Sequence, residues 1–86
     1  MRTSRQHRID RAIARTLHNC GEFVLPQETL IDEVGLLIAA PRVTRSEVEE
    51  SILHMESKQR ILGVVGESAT QWKLTAIGQA WWMENL

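Results

Sequence analysis

Thr44-Arg45-Ser46-Glu47-Val48 opens the stretch that decides the fold. It continues through Ile61-Leu62-Gly63-Val64-Val65, Gly66-Glu67-Ser68-Ala69 and Thr70-Gln71-Trp72-Lys73-Leu74 to Thr75-Ala76-Ile77-Gly78. Thr44 followed three residues later by Glu47 has the form of a capping box, in which each side chain satisfies the other's backbone N–H. Val48, Ile52 and Met55 follow at i, i+4 and i+7, the spacing of one helical face, with Leu53 on its flank. The spacing predicts a helix over about 44–58. Two short apolar runs then flank a Gly-containing turn. Trp72 and Leu74 alternate inward against an outward Lys73, the period of a half-buried strand, so 61–74 reads as a β-hairpin. Thr75 is placed to cap a last helix over about 76–85.

Working outward, Ile9, Ile13, Leu17 and Cys20 recur at helical spacing and predict a first helix over about 4–19, stopped at Gly21. Arg8, Arg11, Arg15 and His18 fall together on its opposite face, with Asp10 off that ridge. The ridge is either a solvated face or a binding surface. Phe23-Val24-Leu25 is an apolar link able to add a minimal strand to the hairpin. Pro26 suits the first turn of a second helix over about 26–39, where a missing N–H costs nothing. Glu28 favours its dipole. Leu30, Val34, Leu37 and Ile38 form its inner face, Gly35 weakens its interior, and Ala40-Pro41 ends it.

Eighty-six residues make one small domain, 1–86, that buries somewhat more than ~60% of its unfolded surface. No apolar run approaches the ~20 residues of a membrane helix, and no apolar segment follows the N-terminal arginines as in a secretory signal. The lone Cys20 cannot form an intrachain disulfide, which fits a cytoplasmic location. The net charge of −1 hides an asymmetry: residues 1–15 hold five arginines against one aspartate, the remainder five basic against ten acidic residues. Such polarity predicts a polyanion or an acidic protein face near the N-terminus.

Taken together, the chain resembles the winged helix-turn-helix superfamily over essentially its whole length. Val43-Thr44 with Val48, Ile52, Met55 and Ile61 looks like the recognition-helix segment. Trp72-Lys73-Leu74-Thr75-Ala76-Ile77-Gly78 looks like the end of the wing. The resemblance implies an α+β, mostly α fold with a three-helix core, a two-stranded wing and a C-terminal helix. It also implies binding of double-stranded DNA, with the third helix in the major groove. No narrower family is indicated, and fold alone does not fix activity.

On that expectation Arg45 is placed for a bidentate contact to guanine, and Arg42, Thr44 and Ser46 for phosphate. Ser51, His54 and Lys58 lie further along the helix, Lys73 on the wing, and Arg2 and Arg5 on the N-terminal arm. Charge opposes this reading. Four glutamates and no Lys or Arg lie between Glu47 and Glu56, the wing tip carries Glu67, and DNA affinity is largely electrostatic. In the last helix Ile77, Ala80 and Trp81 share a face expected to meet the core. Trp82, Met83 and Leu86 point elsewhere, so with Arg8, Arg11 and Arg15 they are candidates for an interface, most simply of a homodimer.

No catalytic reading stands. Cys20 falls on a buried stripe, His18 and Cys20 lack further metal ligands, and no glycine-rich loop precedes a helix. The chain is therefore expected to be non-enzymatic, without metal or cofactor. The leading expectation is a dimeric transcriptional regulator or mobile-element accessory factor. The alternative is a protein-interaction module that kept the winged scaffold and does not bind DNA. RNA binding along the arginine ridge is a third reading, resting on charge alone.

Overall fold

Each helix begins where its first N–H groups are answered or dispensed with. The computed structural model describes all residues, Met1–Leu86. Helix α1, Ser4–Asn19, starts at Thr3, whose hydroxyl accepts from the Gln6 N–H at 3.1 Å while Gln6 Oε1 accepts from the Thr3 N–H at 2.9 Å. The helix stops at Cys20, followed by Gly21 at φ +64°, a left-handed turn that a Cβ disfavours. Strand β1 is Leu25–Pro26, and helix α2, Gln27–Leu37, follows from Pro26 without a side-chain cap. Helix α3, Arg45–Ser57, carries the expected capping box of Thr44 and Glu47. Strands β2, Ile61–Val65, and β3, Thr70–Leu74, form the hairpin, and helix α4, Ala76–Glu84, is capped by Thr75.

The three helices α1–α3 and the hairpin enclose one interior. Ile9, Ile13, Leu17, Leu30, Val34, Val48, Ile52, Met55 and Ile61 are sealed from solvent, with Trp72 closing the sheet side. Each such aliphatic side chain contributes about 1.5–3 kcal/mol relative to exposure. The sheet order is β1-β3-β2, antiparallel throughout; Leu25 pairs with Trp72, and Ile61 with Leu74. The apolar link after α1 thus supplies the third strand. Gly63 lies opposite Trp72, and a Cβ there would meet the indole at 3.0 Å, so glycine leaves the ring its space. The indole N–H donates to Gln27 Oε1 at 3.1 Å. This is a winged helix-turn-helix with a C-terminal helix, as the resemblance implied.

The hairpin is fastened at its base. The Thr75 N–H donates to the Arg60 carbonyl at 3.0 Å, and its hydroxyl donates to the Gln59 carbonyl at 2.6 Å while accepting from the Gly78 N–H at 2.9 Å. Gly78 presses so close to this turn that a Cβ would lie 1.9 Å from the Arg60 carbonyl oxygen.

That approach fixes which face of α4 turns inward, and it reverses the face expected from sequence. Gly78 and Trp82, one turn apart, are buried. Ile77 is 53% exposed and Ala80 is exposed, while Met83 and Leu86 face solvent as expected. Trp82, expected outside, is a core residue at 8% exposure. Trp81 lies half-buried at the margin, with the Arg60 guanidinium 4.5 Å from its ring centroid. Three smaller expectations also change. Helix α2 ends at Leu37, two residues early, leaving Leu37 partly exposed and Ile38 buried at the cap. Leu53 is exposed, because α3 turns only the Val48–Ile52–Met55 stripe and Ser51 inward. Cys20 is half-exposed rather than on the buried stripe, because the helix has ended. Asp10, off the arginine ridge as the spacing implied, is 1% exposed.

Candidate nucleic-acid interface

The first turn of α3 is solvent-facing. Arg42, Thr44, Arg45 and Ser46 are all exposed, and none is used in the core. The capping box holds that turn: the Thr44 hydroxyl accepts from the Glu47 N–H at 3.2 Å, and Glu47 Oε1 accepts from the Thr44 N–H at 3.0 Å. Arg5, reaching from α1, clamps the same place. Its Nη2 donates to Glu47 Oε1 at 2.9 Å and to the Arg42 carbonyl at 3.0 Å, and its Nε donates to Glu47 Oε2. The Arg5 guanidinium first, and the Thr44 amide second, pull the Glu47 carboxyl down to about 2.

Arg45 is exposed but not free. It forms a two-pronged ion pair with Glu28 of α2, Nη1 to Oε2 at 2.7 Å and Nη2 to Oε1, and lies 3.6 Å from Glu49. Glu28 is the main cause of its raised pKa, and Arg45 correspondingly lowers that of Glu28. Exposed pairs of this kind contribute little to stability.

Arg2 is more deeply engaged. It grips the buried Asp10 carboxylate with Nε at 3.0 Å and Nη2 at 2.7 Å, donates to Ser51 Oγ at 2.9 Å, and pairs with Glu50 at 2.6 Å. Both N-terminal arginines expected on a DNA-contacting arm are thus fasteners between α1 and α3. Ser51, expected on the exposed face, is fully buried beneath Arg2. His54 is part-buried, its Nε2 4.0 Å from Asp10, too long for a hydrogen bond. Burial first, then the Arg2 charge, lowers its pKa. Lys58 and Lys73 are exposed and make no ion pair, Lys73 standing on β3 opposite Leu62.

The structure therefore brings Arg42, Thr44, Arg45 and Ser46 together at one exposed helix start. It ties Arg2 and Arg5 to carboxylates of α1 and α3 and buries Ser51. The buried Asp10 was the feature sequence reasoning missed. Its signal was present: Asp10 stands three and four residues before Ile13 and Ala14, within the inward arc of α1. A carboxylate there requires a cation, and the five nearby arginines supplied candidates. Thr3 and Gln6, a second capping box, marked the start of α1 equally plainly.

Arg8, Arg11 and Arg15 form no ion pair; Arg8 and Arg15 are exposed and Arg11 is half-buried. No group of three or more His, Cys, Asp or Glu is placed to hold a metal ion. No helix is long and apolar enough to cross a membrane.

No family model and no curated protein matches the chain. A solved structure is similar: the X-ray structure of a "PadR-like Transcription factor from bacteroid fragilis" superposes with a TM-score of 0.74 at 16% sequence identity, covering 94% of this chain and 79% of that one. At that identity the likeness is one of fold.

Proposed function

We propose that the chain is a winged-helix DNA-binding protein acting as a dimeric transcriptional regulator, with the start of α3 in the major groove and the wing alongside. The observation that carries this reading is the exposed first turn of α3, which offers Arg42, Thr44, Arg45 and Ser46 while Arg5 and Glu47 hold it rigid from behind. A helix start of this kind presents N–H groups and side chains to phosphate and base edges. The similar solved structure is itself described as a transcription factor, which supports the same direction. The dimer would form on the outer side of α4 and the residues that follow it, where Ile77, Met83 and Leu86 are exposed.

The competing reading, an interaction module centred on Trp82, loses its main support, since Trp82 belongs to the core. The test is selection from a random-sequence duplex pool by mobility shift at low salt, with sedimentation to establish the dimer. A defined motif is expected, and Arg45→Ala should relax it at one position, weakening the preferred sequence on the order of tenfold. An unshifted pool at low salt, or binding indifferent to both Arg45→Ala and Arg42→Ala, would overturn the reading.

A further inference from the structure

The three arginines of the α1 ridge, none of them answered by a carboxylate, do not stand on an open helix face. Arg8, Arg11 and Arg15 line a groove between α1, the end of α2 and the edge of α4, walled by Leu37, Ile38 and Trp82. Arg2, Arg5 and Arg45 each find an acid within the chain; these three do not. Arg11 carries the sharpest signal. Its Nε is sequestered from solvent and has no acceptor. The residue as a whole is only half-buried, so an arriving carboxylate can reach its guanidinium and supply the missing acceptor.

We infer that this groove docks an acidic segment of a partner protein, whose carboxylates engage Arg8, Arg11 and Arg15 while one apolar side chain packs on the exposed Leu37. Three features select this occupant. The arginines follow i, i+3, i+7 on α1 and so span ~10 Å along the helix, the reach of carboxylates one and two turns apart on a partner helix. Beside the arginines Leu37, 40% exposed, offers apolar surface that a phosphate backbone cannot use. The cavity is about 180 Å³. Ligand pockets run from ~300 Å³ upward, so this space suits one anchoring side chain flanked by charges rather than a whole small molecule. The groove shares no residue with the start of α3, so this surface and the DNA reading stand or fall separately.

The experiment is selection of a displayed random-peptide library on the full chain. Enriched peptides are then synthesised, and binding is measured by calorimetry and by the Arg11 Nε–Hε resonance. Enrichment of Glu and Asp around a single Leu, Ile or Phe is expected. The Arg11 resonance should shift on binding, and affinity should fall at least ~tenfold in R8Q and R15Q, whose side chains are exposed and whose folding is checked by thermal melts. Leu37→Asp should abolish the apolar anchor. Absence of enriched peptides, enrichment without acidic bias, or undiminished binding to R8Q/R15Q overturns the proposal. So does a loss of duplex DNA or RNA binding in R8Q/R15Q with no acidic peptide selected, which would make the groove a nucleic-acid surface.

Discussion

Asp10 shows how one side chain changes the meaning of its neighbours. A carboxylate 1% exposed is tolerable because Arg2 meets both its oxygens and ties Ser51 and Glu50 to the same guanidinium. Arg2→Ala leaves the carboxylate buried and unmatched. We expect a loss of about 2–4 kcal/mol in denaturant unfolding, less than for a wholly buried pair because Arg2 keeps a fifth of its side chain in water. The double variant Arg2→Ala/Asp10→Ala should recover part of that loss, since no lone charge remains; equal loss in both would contradict the account. Glu47 gives a pH signature. Its carboxyl sits at about 2 in the fold against an ordinary 4.5. A depressed folded value stabilises the protein above the unfolded value and loses that contribution as pH falls through the folded one. The melting-temperature gap between wild type and Arg5→Gln should therefore be full above about pH 4.5 and narrow toward pH 2. A gap independent of pH would show that the Arg5 bonds to backbone carbonyls, not its pair with Glu47, do the clamping.

Among the elements, those with local signals were legible and those set by a neighbour were not. The capping boxes, the Val48–Ile52–Met55 stripe and the alternation through Trp72 and Leu74 announce their elements within a few residues. Helix α4 does not, because it is apolar on several sides and its inward face is chosen by contact with a distant turn. Gly78 must approach the Arg60 carbonyl, and Trp82, one turn on, must follow it inward. Sequence spacing alone favoured Ile77 and Trp81. The candidate site divides the same way. Exposure of Arg42 and Arg45 follows from their position before and at the helix start, whereas the diversion of Arg2 and Arg5 depends on tertiary partners 8 to 49 residues away. Gly78→Ala tests the close approach. A methyl carbon 1.9 Å from a carbonyl oxygen forces α4 away, so we expect at least about 2 kcal/mol of destabilisation and a red-shifted, more solvated tryptophan emission. Unchanged stability would mean that α4 docks elsewhere.

At the scale of the molecule, charge is sorted by face. The N-terminal excess of arginine looked from sequence like one basic arm. In the fold it splits: two arginines bind the protein's own acids, and three line the groove. The α3 side and the wing are left with Arg42, Lys58 and Lys73 as exposed cations without an ion-pair partner. If a dimer engages about six phosphates, log K against log salt should fall with a slope of about −5. A slope near −10 would mean that the α1 arginines also reach the duplex, contrary to the division described here.

The double attachment of Thr75 to Gln59 and Arg60 has a mechanical consequence. A β-ribbon anchored at one foot swings like a flap, but this one has its two feet riveted together and the rivet is the cap of α4. The tip at Gly66–Ala69 lies beyond this attachment, whereas the base can tilt only if α4 tilts with it. Whatever grips the outside of that last helix thereby holds the handle of a rigid lever whose other arm is the wing.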